Sequence, residues 1–171
     1  MKRTLVLLAT AAMASLSLAQ PTVGGIDATG LRLRLGAVYP LEGATRKITG
    51  NMLAIGLDFP VRSLAKTGEA YLSADWYGKS GSGAKGNIFP VLYNQRINVD
   101  KDPEATQRTY IMVGAGIAHI DVKKAKTAYA MRFALGKELS DTVFAEGGLL
   151  WTTDGGGVKG NAFGFFLGYR F

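Results

Sequence analysis

The sequence predicts an all-β chain that closes into an antiparallel, up-and-down, eight-stranded transmembrane β-barrel. Runs of roughly nine to eleven residues alternate apolar with small or polar side chains, which gives each strand one apolar face. Residues that favour turns and loops separate eight such runs. After residue 20, no stretch approaches the ~20 apolar residues of a transmembrane helix. Such a chain spans a bilayer only as a closed barrel, in which every backbone N–H and C=O group is paired.

The eight predicted strands follow one another without a long insertion. They are Leu31–Tyr39, Asn51–Phe59, Glu69–Tyr77, Phe89–Gln95, Tyr110–Ile120, Thr127–Gly136, Val143–Trp151 and Asn161–Phe171. Both faces of the fifth strand are apolar or small, so the sequence does not show which face points into the barrel. With both termini in the periplasm, the loops after strands one, three, five and seven point outward. These loops are Pro40–Gly50, Gly78–Gly86, Asp121–Lys126 and Thr152–Gly160.

Aromatic residues lie near both ends of the predicted strands, as in the girdles that flank the apolar band of a membrane barrel. Those expected near the outer rim are Tyr39, Trp76, Tyr129, Trp151 and Phe163, and those near the periplasmic rim are Phe59, Tyr110, Tyr169 and Phe171.

The N-terminal residues have the pattern of a secretory signal peptide. Lys2 and Arg3 precede an apolar run from Leu5 to Ala14, and Ser17-Leu18-Ala19 supplies the small residues of a cleavage site. We expect residues 1–19 to be removed and residues 20–171 to form a single barrel domain. The chain carries a net charge of +7 and no cysteine, so a secreted product lacks disulfides and depends on its core or on a membrane.

The last predicted strand has one wholly apolar face that ends on the C-terminal residue. Its members are Phe163, Phe165, Leu167, Tyr169 and Phe171. This strand resembles the C-terminal strand of bacterial outer-membrane β-barrels, and the mature chain resembles the small, eight-stranded members of that family. The resemblance implies a location in the bacterial outer membrane, contact with its lipid, and recognition of this strand by the barrel-assembly machinery.

Charged residues occur on the strand faces opposite the apolar ones, which predicts that they point into the barrel. The set contains four arginines and four carboxylates: Arg32, Arg34, Arg132, Arg170, Asp58, Glu69, Asp75 and Glu146. An eight-stranded barrel is just wide enough to be filled by side chains, and buried charges are tolerable when they are paired. We therefore expect a plugged, ion-paired lumen that includes an Arg132–Glu146 pair; alternatively, some of these residues lie solvated at the rims.

Recognisable catalytic or metal-binding patterns are missing. The single histidine, His119, has Asp121 nearby but no serine two positions away, and neither cysteines nor a histidine cluster suggests a metal. We therefore predict no enzyme, cofactor or metal. Basic residues scattered through loops of a secreted barrel also argue against nucleic acid.

The resulting hypothesis is an outer-membrane barrel with a structural or surface-interaction role, and with anionic surface polymers or other envelope proteins as candidate partners. Two alternatives remain open. One is a soluble carrier of the lipocalin type that binds a lipophilic ligand inside an apolar barrel. The other is a small barrel that passes small solutes.

Overall fold

The computed structural model describes residues 30–65, 68–78, 86–100, 107–154 and 157–171. The predicted signal peptide and most of the predicted loop Gly78–Gly86 lie outside these residues. The strands are β1 (Arg32–Pro40), β2 (Met52–Val61), β3 (Glu69–Gly78), β4 (Asn87–Asn98), β5 (Thr109–Asp121), β6 (Lys126–Glu138), β7 (Val143–Thr152) and β8 (Ala162–Arg170). One short helix, α1 (Gly43–Thr49), lies between β1 and β2.

The eight strands form one closed barrel, which confirms the predicted fold class. Each strand pairs antiparallel with the next in the chain, and β8 pairs antiparallel with β1 to close the sheet. The closing register runs from Arg32 opposite Arg170 to Pro40 opposite Ala162. Closure leaves no sheet edge, so the backbone groups along the strands are paired within the sheet.

The two faces of the sheet differ in polarity in the direction expected for a membrane barrel. Large apolar side chains point away from the lumen on all eight strands, and Phe165 at mid-strand is 58% exposed. Charged and small side chains alternate with them and are buried inside. In water, a continuous apolar outer belt of this kind would favour aggregation, whereas lipid solvates it.

The structure shows which side chains of β5 point into the lumen, a question that the sequence left open. Tyr110 and Met112 are buried in the lumen, while Ile111 and Val113 point outward. The prediction that Tyr110 belongs to an aromatic girdle at the periplasmic rim is therefore wrong. Tyr110 does lie near the end of β5, but its side chain points into the lumen.

The predicted loop Pro40–Gly50 contains α1, which the sequence analysis missed. Ala44 and Ile48 lie one helical turn apart and pack against the buried apolar cluster inside the barrel. Thr45 and Thr49 are buried as well. Gly50 ends the helix at a positive φ of 61° and donates its N–H to the carbonyl of Arg46. Among the described residues, no helix is long and apolar enough to cross a membrane.

The two ends of the barrel are distinct. The helix end carries α1 and the points where β1, β3, β5 and β7 end. The terminal end carries the start of β1, the C-terminal residue Phe171 and the points where β2, β4 and β6 end. An apolar cluster fills the lumen beneath α1, with Met52, Ile88, Ile120, Val122 and Val158 among its members. The charged residues occupy the middle of the lumen and its terminal half.

Candidate functional site

Six of the eight predicted lumen charges meet in one buried cluster, here called the central network. Its arginines are Arg32, Arg34 and Arg132, and its carboxylates are Asp58, Asp75 and Glu146. Every one of these side chains is at most 3% exposed. They come from β1, β2, β3, β6 and β7, and each occupies an inward position because of its strand's alternation.

Arg34 connects all three carboxylates. Its Nη2 lies 2.8 Å from Asp58 Oδ1 and 2.7 Å from Asp75 Oδ1, and its Nη1 lies 3.3 Å from Glu146 Oε1. An added Cβ at Gly56 would lie 3.1 Å from Arg34 Nη2 and 3.2 Å from Asp75 Cγ. The absence of a side chain at this inward position therefore leaves room for the pairing.

Glu146 is the second hub of the central network. It pairs with Arg132, as the sequence predicts, and it also lies 3.7 Å from Arg32 Nη2. The Tyr110 hydroxyl donates to Glu146 Oε2 at 3.2 Å and accepts from Arg32 Nη2 at 2.9 Å. Arg132 additionally lies 3.7 Å from Asp75 Oδ2. Each of the three arginines thus contacts at least two carboxylates.

Aromatic rings cover the guanidinium groups where carboxylates do not. The Arg32 guanidinium lies 3.8 Å from the centre of the Phe144 ring and 4.9 Å from that of Tyr71. Arg34 and Arg132 lie 5.2 Å and 5.6 Å from the Phe166 ring centre. Such contacts are favourable for the planar, weakly hydrated guanidinium and exclude water from it.

A second cluster, here called the rim network, lies at the terminal end. Glu138 Oε1 lies 2.6 Å from Arg96 Nη2 and 2.6 Å from Arg170 Nη2. Glu69 Oε2 lies 3.1 Å from Arg96 Nη1. The Glu69 side chain is 47% exposed and that of Arg170 is 26% exposed. These two members of the predicted set therefore sit at the rim, as in the alternative interpretation.

The sequence analysis missed Arg96 and Glu138, because it ended their strands too early. Predicted strand four stopped at Gln95, and predicted strand six stopped at Gly136, two residues before Glu138. Both residues continue the inward alternation of their strands, from Leu92 and Asn94 in β4 and from Arg132 in β6. The ring of Tyr110, 4.1 Å from the Arg96 guanidinium, lies between the two networks.

The arrangement is suited to closing the lumen. Three buried positive charges against three negative ones leave the central network with no net formal charge, which offsets much of the desolvation cost of burying them. Among the described residues, a gap beside Arg132, Tyr77 and Phe166 has a volume of about 10 Å³. That is close to the minimum that admits one water molecule.

His119 is exposed on the outer face of β5, on the opposite side of the sheet from the lumen charges. Its Nδ1 is 3.4 Å from the Thr127 hydroxyl on β6. Over the described ranges, no group of three or more His, Cys, Asp or Glu side chains is arranged to hold a metal ion.

The predicted assembly-signal residues all take the outward parity of the last strand. Phe163, Phe165 and Leu167 are exposed on the apolar belt. The rings of Tyr169 and Phe171 contact each other edge to face, with centroids 5.0 Å apart, at the terminal end.

Comparison with known proteins identifies the fold. No family model and no curated protein sequence matches the chain. Among solved structures, the N-terminal β-barrel domain of Pseudomonas aeruginosa OprF aligns with a TM-score of 0.56 and 13% identity, over 84% of this chain and 98% of that one. The outer membrane enzyme PagL aligns with a TM-score of 0.54 and 14% identity, over 83% and 98% of the two chains.

The Yersinia pestis outer membrane protein Ail, solved in a phospholipid bilayer nanodisc, gives a TM-score of 0.52 and 13% identity, over 84% of this chain and 99% of that one. The chain therefore has the fold of the small, eight-stranded outer-membrane β-barrels. At these identities, the similarity concerns the fold alone.

Proposed function

We propose that the mature chain is a non-conducting outer-membrane barrel whose interior has a structural role and whose helix end interacts with other molecules at the surface. The observation that carries this proposal is the filled lumen. The central network occupies its middle, and the apolar cluster beneath α1 fills the helix end. A barrel whose middle and helix end are occupied by its own side chains is left mainly with its surfaces for function.

The two alternative functions fit the lumen less well. A carrier of lipophilic ligands needs an apolar cavity, whereas the centre of this lumen holds six charged groups. A solute-conducting barrel needs a continuous polar path, and α1 with its apolar contacts lies across one end. The proposed role is also non-enzymatic: His119 lies on the exposed face of β5, and its Nδ1 is 3.4 Å from the Thr127 hydroxyl.

The proposed route to the membrane uses both ends of the sequence. We infer that residues 1–19 direct secretion and are removed, which leaves residues 20–171 as the barrel domain. The apolar face of β8 and Phe171 would then be read by the barrel-assembly machinery. Support comes from the outward, lipid-accessible placement of Phe163, Phe165 and Leu167.

The proposed partners are outer-membrane lipid around the belt and anionic surface polymers or other envelope proteins at the helix end; a nucleic acid is not among them. Anionic partners are favoured by the charge outside the lumen. Residues 20–171 hold 18 basic and 13 acidic residues, a net charge of +5, and the lumen charges largely compensate one another.

Cysteine labelling in intact cells tests the proposed surface exposure, because the chain contains no cysteine of its own. Lys124→Cys and Lys159→Cys, both exposed at the helix end, should react with a membrane-impermeant maleimide. Asp141→Cys, equally exposed in the connection between β6 and β7, is the matched control and should react only after the envelope is permeabilised. Equal labelling of all three in intact cells would overturn the proposed orientation.

A further inference from the structure

A cavity of about 470 Å³, here called the terminal cavity, opens at the terminal end of the barrel. Its walls come from the residue before β1, the ends of β2 and β8, and the start of β3. Sites for small molecules commonly have volumes of roughly 300–1,000 Å³. The terminal end therefore has room for a ligand, whereas the middle of the lumen is filled.

One part of the wall of the terminal cavity is apolar and held in place by backbone hydrogen bonds. It includes Pro60 and Val61 of β2, and Phe171, which follows β8. The N–H of Gly30 donates to the carbonyl of Phe171 at 3.0 Å, and the N–H of Phe171 donates to the carbonyl of Leu31 at 2.9 Å. Because these bonds already order the wall, little affinity is lost to the ordering of the protein when a ligand binds.

Two side chains of opposite charge line the terminal cavity, and the rim network uses only part of each. The Glu69 side chain is 47% exposed, and its Oε2 accepts from the Tyr71 hydroxyl and from Arg96. Its Oε1 accepts no hydrogen bond from another described residue. The Arg170 side chain is 26% exposed; its Nη2 donates to Glu138, and its Nη1 donates to no other described residue. The cavity thus offers one free carboxylate oxygen and one free guanidinium nitrogen.

The two charges are close enough for one small ligand to reach both. Arg96 lies 3.1 Å from Glu69 Oε2 and 2.6 Å from Glu138 Oε1, and the same Glu138 oxygen lies 2.6 Å from Arg170. Only one guanidinium group and one carboxylate oxygen therefore stand between Glu69 and Arg170. Two residues of extended peptide span at most about 7 Å, which suits a separation of this kind.

The charge of the rim network determines which ligands it favours. Its two arginines and two glutamates leave no net formal charge. A ligand with a single charge is attracted by one of the two free groups and repelled by the other. A ligand that carries both an ammonium group and a carboxylate satisfies both groups at once.

We infer that the terminal cavity binds a short peptide with two free termini, its ammonium group on Glu69 and its carboxylate on Arg170. Both contacts are charge-assisted hydrogen bonds, which are stronger than neutral ones. An aliphatic side chain of the peptide packs against Pro60 and Val61. The inference goes beyond the proposed surface role, because the terminal cavity and the helix end lie at opposite ends of the barrel.

The test uses the full-length protein in phosphatidylcholine nanodiscs and the dipeptide alanyl-leucine, whose binding is titrated by saturation-transfer difference NMR. Two analogues each lack one charge: N-acetyl-alanyl-leucine has no ammonium group, and alanyl-leucinamide has no carboxylate. Each analogue should bind the parent protein about tenfold more weakly than alanyl-leucine does, since a hydrogen bond to a charged group contributes on the order of that factor. These titrations need no variant to fold.

Variants then assign each charge of the peptide to its partner. Glu69→Gln should weaken the binding of alanyl-leucine by a similar factor without weakening that of N-acetyl-alanyl-leucine, which has no ammonium group to lose. Arg170→Gln should weaken the binding of alanyl-leucine without weakening that of alanyl-leucinamide. Asp141→Asn and Lys137→Gln are the matched controls, because they remove the same charges from exposed positions at the terminal end outside the cavity. Both controls should bind alanyl-leucine as the parent protein does.

Three results would overturn the inference. One is equal affinity of the parent protein for all three peptides, and another is a signal no larger than that of nanodiscs without protein. The third is a loss in the control variants as large as in Glu69→Gln, which would mean that the peptide responds to the general charge of the terminal end. None of these results bears on the helix end, whose exposure the cysteine labelling measures separately.

Discussion

Single residues in the central network are stabilised by several partners, so their contributions depend on one another. Arg34 contacts three carboxylates, and Glu146 contacts three arginines. Breaking a buried pair by removing one partner leaves an uncompensated charge, which is far more costly than removing both partners. The balance of charge in the lumen therefore matters more than any single contact.

A double-mutant cycle of Arg132→Met and Glu146→Gln tests this interdependence. Each single substitution leaves the central network with one excess charge, so each should lower the free energy of unfolding by about 3–5 kcal/mol. The double variant restores the balance and should lose clearly less than the sum of the two. The measurement is urea unfolding in lipid vesicles, followed by tryptophan fluorescence.

The control for this cycle is Glu69→Gln in the rim network. Glu69 is half exposed, so water replaces its contact with Arg96, and the expected loss is only about 0–1 kcal/mol. Additive losses for Arg132 and Glu146 would show that the two side chains do not interact in the membrane-embedded protein.

The sequence predicted the central charges because each sits at an alternate position of a well-marked strand. The inward orientation of Arg32, Arg34 and Glu146 follows from the alternation of side chains within their own strands. The sequence could not tell which of them pair. Arg34 of β1 meets Asp75 of β3 over Gly56, which depends on the register of three strands. Arg34 meets Glu146 of β7 only because β8 pairs with β1 to close the barrel. Tyr110 escaped notice because both faces of β5 are apolar or small.

At the scale of elements, inward glycines determine how closely aromatic rings approach the sheet. A Cβ added at Gly168 in β8 would overlap the ring of Phe144, which is itself packed against the Arg32 guanidinium. Gly147 in β7 faces outward, and an added Cβ there would meet only Phe163 Cζ, at 3.9 Å. The same substitution should therefore have opposite consequences at the two positions.

Gly168→Ala should lower the free energy of unfolding in lipid by about 1–3 kcal/mol, since overpacking forces Phe144 or the backbone to move. Gly147→Ala should be neutral or slightly stabilising, because alanine restricts the unfolded chain without a clash. Urea unfolding in vesicles compares the two variants directly. Equal stability of the two variants would mean that the Phe144 ring does not occupy the space over Gly168.

The strands were predictable from alternation, but α1 was not. The helix has seven residues. Its two apolar residues, Ala44 and Ile48, stabilise it only by packing against the apolar cluster inside the closed barrel. No side chain caps its first turn, so the sequence offers no local start signal. The ends of β4 and β6 were also predicted too early. Arg96 and Glu138 are polar, as loop residues are, and their place in a strand becomes clear only from the ion pair that they form inside the barrel.

At the scale of the whole molecule, the chain inverts the usual distribution of polarity. Large apolar side chains form the outer belt, and the middle of the lumen is ionic, with the apolar cluster beneath α1 at one end. In lipid, the outer belt is solvated without cost, so closing the barrel around paired charges is compatible with a stable fold. A lumen filled in this way supports the view that the helix end, rather than an internal passage, carries the function.

Single-channel recording in planar lipid bilayers tests this central claim most directly. Folded parent protein, identified by its altered gel mobility before boiling, should give no unitary current steps across the physiological voltage range. A variant in which a Gly-Ser linker replaces Gly43–Thr49 should also stay silent, because the central network lies below α1 and closes the lumen by itself. Reproducible ohmic steps from the folded parent protein would show that the lumen conducts and would contradict the account.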